Sequence, residues 1–155
     1  MSEQIYVRDP KAEDISIIAE IERDCFSMPW KYDDFYKAFN EKQLFKVVSV
    51  GDTVVGYFLA LVVCDEAQIA TIAIKKEYRK KGCAKKVLEA AILEAWVRGL
   101  NVMYLEVRKS NIDAIGLYEN IGFEHMGVRK NFYEKPIEDA ITMKFDVKGI
   151  WRRNK

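Results

Sequence analysis

Glu106, Tyr118 and the turn Arg79-Lys80-Lys81-Gly82-Cys83-Ala84 are the parts of this 155-residue chain whose residue types could do chemistry. The turn lies between an apolar strand ending at Ile74 and a long amphipathic helix. A helix start offers unpaired backbone N–H groups and the positive end of the macrodipole, so it attracts phosphate. Gly82 lets a ligand approach the backbone, and seven Lys and Arg side chains fall within residues 75–86. The segment reads as a pyrophosphate cradle or as a basic surface loop before an ordinary helix. It lacks the Lys-Ser/Thr and paired glycines of a Walker loop and the G-x-G-x-x-G of a dinucleotide site. Glu106 ends an apolar strand in alternation with Leu105 and Val107, where desolvation would raise a carboxyl pKa toward that of a working base. Arg108 is equally placed to make it an ion-paired surface residue. Tyr118, a phenol of ordinary pKa ~10, could protonate a departing thiolate of pKa ~8.5, or could simply pack beside Phe123.

Further motifs break the tie. Strand, R-x-x-G-x-A (residues 79–84) and helix come in that order. LEVRKSN (105–111), A-I-x-L-Y-E (114–119) and Gly122-Phe123 follow. The set resembles the GNAT acetyltransferase superfamily. With Met28-Pro29-Trp30 and EDAITM (138–143), it is most similar to the RimI-type ribosomal-protein alanine N-acetyltransferases within the branch that acetylates protein N-termini. The resemblance spans residues 6–145. Ala84 stands where glycine is common, although alanine is frequent there too.

The resemblance implies a fold, a cosubstrate and roles. The fold is α/β: a mixed, mostly antiparallel sheet of about seven strands with about four helices, splayed between the fourth and fifth strands. Acetyl-CoA would lie with its pyrophosphate at Arg79, Lys80, Lys81, Gly82, Cys83 and Ala84. Its pantetheine would pair with the backbone of Ile72, Ala73 and Ile74, and Asn111 would touch it, or only cap its own helix. Glu106 would be the general base and Tyr118 the general acid, in direct transfer to an amine. Tyr133 is a second candidate acid or a substrate contact. Met28, Pro29, Trp30 and Tyr133 would grip the first residues of a protein N-terminus, the implied acceptor being the N-terminal alanine of a small-subunit ribosomal protein. Two other readings stay open. One is an acetyltransferase for a polyamine or aminoglycoside, using Asp33, Asp34, Glu134, Glu138 and Asp139. The other is a CoA-binding regulatory subunit without turnover, against which the presence of both Glu106 and Tyr118 argues.

Composition narrows the rest. Half the residues are hydrophobic and 32% charged, with a net charge of +1. That balance suits one globular domain over 1–155 with a basic tail from about 148, and gives no overall field for nucleic acid. Cys25, Cys64 and Cys83 are too widely spaced for a zinc site or disulfide framework. Cys64, in an apolar run, reads as a core residue; Cys83 as packing; the lone His125 as surface. No metal is expected. With no leader-like start and no apolar run of ~18 residues, a cytoplasmic protein, a monomer or weak dimer away from membranes, is expected.

The elements that must position these groups follow from periodicity. Strands are expected over 5–8, 45–50, 54–63, 66–74, 102–107, 124–129 and 140–145. Helices are expected from Asp9-Pro10 to about Asp24, over 32–40, from the basic turn to a stop at Gly99, and over 111–120. The stripe Ala84, Val87, Leu88, Ala91, Ile92, Ala95 and Trp96 should face the core. Residues 54–63 are continuously apolar, as in a strand covered on both faces, and Gly51-Asp52 should turn a hairpin.

Overall fold

In a computed structural model of the chain, residues 4–150 are described. Seven strands form one sheet in the order β1-β2-β3-β4-β5-β7-β6. They are β1 (Ile5–Arg8), β2 (Leu44–Val50), β3 (Thr53–Val63), β4 (Glu66–Ile74), β5 (Val102–Arg108), β6 (Glu124–Tyr133) and β7 (Glu138–Asp146). The β4–β5 pair is parallel and every other pair antiparallel. Helices α1 (Ile15–Cys25) and α2 (Tyr32–Asn40) cover one face; α3 (Cys83–Val97) and α4 (Ile112–Ile121) cover the other.

The unbroken apolar run of β3 serves both layers. Val54, Tyr57 and Leu59 enter the core under α1 and α2, whereas Val55, Phe58 and Ala60 enter the one under α3. Gly51, with φ +58°, turns β2 into β3 as the first residue of a two-residue loop. Gly56 has a different purpose. A Cβ there would lie 2.5 Å from both the Ala73 carbonyl oxygen and Ile74 Cδ1, so β3 and β4 can approach only over a glycine. Gly56→Ala is expected to destabilise the protein by about 1–3 kcal/mol, seen as a lower Tm in thermal denaturation.

Four expectations are corrected. The first helix does not start at Asp9-Pro10: a 3-10 turn, Ala12–Asp14, precedes α1. The Asp14 carboxylate accepts the Lys11 N–H at 2.7 Å and the Arg8 guanidinium at 2.7 Å, so Asp14 rather than Asp9 organises the start. Cys64 is exposed, not core; it opens the two-residue turn between β3 and β4 with φ +55°. Trp96 is 42% exposed. It lies one residue, about 100°, round α3 from buried Ala95, on the flank of the stripe. β6 runs on to Tyr133, so Phe132 and Tyr133 end a strand instead of occupying a loop. An irregularity between Arg129 and Tyr133, with Asn131 at φ +54°, lets the strand continue. Trp151-Arg152-Arg153-Asn154-Lys155, most of the expected basic tail, lies outside the described residues. No helix among the described residues is long and apolar enough to cross a membrane.

Candidate active site

The site begins where two strands part. β4 and β5 pair only through Glu66↔Val102, Ala67↔Met103 and Gln68↔Tyr104. Beyond Gln68, β4 continues against β3 alone and β5 against β7. Backbone groups of residues 69–74 that face the gap therefore lack a strand partner. Partner register also slips, Leu59 opposing Thr71 while Ala60 opposes Ile69, so Ala70 is an extra residue in β4. The bulge resets the alternation: Ile69 packs toward α3, and Ala70 and Thr71 both turn toward the α1–α2 side. A cleft of about 1150 Å³ opens along this gap.

Glu106 and Tyr118 reach that cleft from opposite layers. Leu105 and Val107 are in the core under α3 and α4, so Glu106 between them faces the other side. Tyr118 belongs to the α3–α4 layer. Both border the cleft, and only the parting of β4 from β5 gives them a common space. The Glu106 carboxylate accepts Gln68 Nε2 at 2.6 Å and Arg129 Nη1 at 3.2 Å. Arg108, the partner expected from its neighbouring position, instead pairs with Glu138 at 3.2 Å. The two lie on the same face of β5, two residues apart, but the Arg108 guanidinium is taken up by Glu138 and by the carbonyls of the turn after β6.

The Tyr118 ring is 5.5 Å from that of Phe123, as packing would have it. Its hydroxyl has no hydrogen-bond partner among the described residues. Burial first, then the neighbouring Tyr133, pushes its pKa upward. Burial and then the Glu106 charge push Tyr133 up to about 12. Both phenols therefore keep their protons at neutral pH.

On the cofactor side, Ile72, Ala73, Ile74, Arg79, Lys80, Gly82, Cys83, Ala84 and Asn111 border the cleft; Lys81 does not, and lies over the Tyr78 ring at 5.5 Å. Gly82, at φ +90° and with open space where a Cβ would project, precedes the first N–H groups of α3. These N–H groups have no acceptor within the helix. A pyrophosphate at α3 and a pantetheine along the open edge of β4 fit this arrangement. Arg79 is partly committed: its Nε donates to the Ile74 carbonyl at 3.0 Å, tying the turn to the end of β4. Cys83 is buried, which pushes its thiol pKa up. Asn111 caps α4 by accepting the Ala114 N–H at 3.2 Å.

On the acceptor side, Met28, Trp30, Phe132 and Tyr133 border the cleft, and Pro29 does not. Arg108 holds the turn after β6. It donates to the carbonyls of Pro136 and Glu134 at 3.0 and 2.9 Å and stacks 4.5 Å over the Tyr133 ring. Hydrogen bonding to Ser110, with Arg108 beside it, keeps the Glu138 carboxyl below its ordinary pKa. Asp34 accepts the Lys31 N–H at 3.0 Å and Asp139 the Asn131 N–H at 2.9 Å. Three of the five carboxylates that could have formed an acidic amine pocket are thus used internally. His125 is exposed beside Glu119. Among the described residues no cluster of His, Cys, Asp or Glu gathers as a metal site.

Three participants were absent from the sequence reading of the site. Gln68 and Arg129 reach Glu106 from 38 and 23 residues away, with no local signal. Glu22, which also borders the cleft, did leave a signal, as an acidic residue in line with Ile15, Ile18 and Ala19 on the buried side of α1.

An α/β sheet parted between parallel strands, with a helix N-terminus at the gap, defines an acyl-CoA-type acetyltransferase fold, and residues 15–123 match the acetyltransferase (GNAT) family. The chain belongs to that family. It is 33% identical over 132 residues to the ribosomal protein bS18-alanine N-acetyltransferase of Salmonella typhimurium, covering 84% of this chain and 89% of that one. The crystal structure of the ribosomal-protein-S18-alanine N-acetyltransferase from Escherichia coli superposes with a TM-score of 0.85 at 30% identity, over 93% of this chain and 94% of that one. The fold recurs in yncA of Salmonella typhimurium, solved with its cofactor acetyl-CoA, at TM-score 0.83 and 18% identity over 93% and 94% of the two chains.

Proposed function

We propose that this protein moves an acetyl group from acetyl-CoA to the N-terminal α-amine of a protein, the acceptor being the N-terminal alanine of ribosomal protein bS18. The observation that carries the reading is the single cleft, bordered by Glu106 from one layer and Tyr118 from the other. The bS18-alanine acetyltransferases that match most of this chain support the choice of acceptor.

Bound acetyl-CoA supplies an activated thioester carbonyl. The residues that would hold it are Gly82, Cys83 and Ala84 at the α3 start and the open edge of Ile72, Ala73 and Ile74. A backbone N–H along that edge would serve as a donor for developing negative charge. An α-amine of pKa ~8 is only about a tenth neutral at pH 7. Glu106 removes that limitation by taking the ammonium proton, directly or through a water. Tyr118 holds a proton at Oη for the leaving sulfur, with Tyr133 close by. Met28, Trp30, Phe132 and Tyr133 form the walls for the first acceptor residues.

The test is thiol release with peptides beginning Ala, Ser, Met or Gly, an N-blocked lysine peptide and spermidine. Turnover is expected with the Ala-starting bS18 peptide and not with the blocked peptide. Turnover with spermidine alone would replace the reading by a small-amine enzyme.

A further inference from the structure

Glu22 takes no part in the chemistry above, yet it borders the cleft as a residue only 2% exposed. An unpartnered carboxylate is costly in such surroundings, and three donors surround this one. Oε1 accepts the hydroxyls of Tyr57 in β3 and Thr71 in β4, the latter at 2.5 Å; Oε2 accepts the backbone N–H of Trp30 at 3.0 Å. The network joins two halves of the site. Thr71 follows the bulge residue Ala70 and immediately precedes Ile72, in the part of β4 that borders the gap. Trp30 belongs to the segment between α1 and α2, which has no regular structure of its own.

Among the described residues, Glu22 is the sole hydrogen-bond acceptor for the backbone of residues 27–30. The Trp30 ring leans on Phe35 at 5.6 Å, and Phe35 meets Tyr57 edge-on at 5.5 Å. The same Tyr57 thus buttresses both the carboxylate and the ring. We propose that Glu22 is a positioning residue: it sets the height of the Met28–Trp30 segment over β4, and with it the path by which the acceptor amine reaches the reacting centre. The inference rests on the acetyl-transfer reading for its kinetic consequence and on the hydrogen bond alone for its structural one.

Chemistry separates the variants. Tyr57 and Thr71 hydroxyls can rotate and accept as well as donate, whereas the Trp30 N–H can only donate. Glu22→Gln keeps an oxygen for Trp30 and turns its NH₂ toward the hydroxyls. Glu22→Met keeps the length and offers no acceptor. Glu22→Asp keeps the charge one methylene short, and serves if the Met variant does not fold.

Two readouts on the full chain decide the matter: steady-state kinetics with an Ala-starting peptide, and amide hydrogen exchange at Trp30 by NMR. Glu22→Met should raise the acceptor KM by about 10- to 100-fold while the acetyl-CoA KM moves less than about threefold. Glu22→Asp should move in the same direction by less, and Glu22→Gln should restore both values. Exchange at Trp30 should speed up in the Met and Asp variants but not in Gln. An unchanged acceptor KM, an equal rise in both KM values, or a Trp30 amide protected in every variant would overturn the proposal. If the wild type acetylates no amine, the acetyl-transfer reading fails, and the exchange pattern still decides whether Glu22 tethers the segment.

Discussion

Glu106→Gln is expected to lower kcat by ~10²–10⁴-fold, with acetyl-CoA binding, read by calorimetry, staying within about threefold of the wild type. The substitution preserves shape and an oxygen for hydrogen bonding, and removes the charge that accepts the proton in the proposed mechanism. Its structural cost is small. The ion pair with Arg129 is solvent-facing, the Arg129 side chain being 58% exposed, and such pairs contribute about 0–1 kcal/mol. In the proposed mechanism Arg129 would swing away for an acceptor ammonium, whereas Gln68, from the last paired residue of β4, would keep the carboxylate in place. Wild-type turnover in the Gln variant would remove Glu106 from the mechanism.

Tyr118→Phe is expected to lower kcat by about 10²-fold or more while leaving stability within about 0.5 kcal/mol. The two effects separate because the Tyr118 hydroxyl has no partner among the described residues, so its removal orphans no donor or acceptor. Burial raises the pKa, and a raised phenol pKa means the protonated form persists to higher pH. Any alkaline loss of kcat assigned to this acid must then fall above pH ~10, the ordinary tyrosine value. Tyr133→Phe provides the comparison. Tyr133 also keeps its proton, at a pKa of about 12, but its ring is engaged by Arg108. Its loss should act mainly on the acceptor KM. A large kcat loss in Tyr133→Phe with none in Tyr118→Phe would exchange their roles.

Much of this architecture was legible from local patterns. Residues 66–74 read as a strand of the observed length, and Gly51-Asp52 and Gly99 mark their turns, because glycine placement and apolar alternation are properties of neighbouring residues. The errors arose where tertiary demands override them. Cys64 belongs to an apolar run but is needed for a turn. Trp96 fits a stripe but falls on its flank. The basic turn and strand-end glutamate were visible as types; the surroundings that equip them were not. Gln68 meets Glu106 only because β4 and β5 run parallel for three residue pairs before separating. Arg108 was the obvious partner for Glu106 in sequence, but the turn between β6 and β7 supplies it with other acceptors, at Glu134, Pro136 and Glu138. The bulge at Ala70, which aims Thr71 at Glu22, depends on pairing register, and register is not a property of one strand.

The most direct measurement is the location of the acetyl group, by fragmentation mass spectrometry, on an Ala-starting peptide with the bS18 N-terminal sequence and an internal lysine. The account predicts a single acetyl group on the α-amine of the first alanine. Acetylation of the lysine side chain with a free α-amine left behind would contradict it.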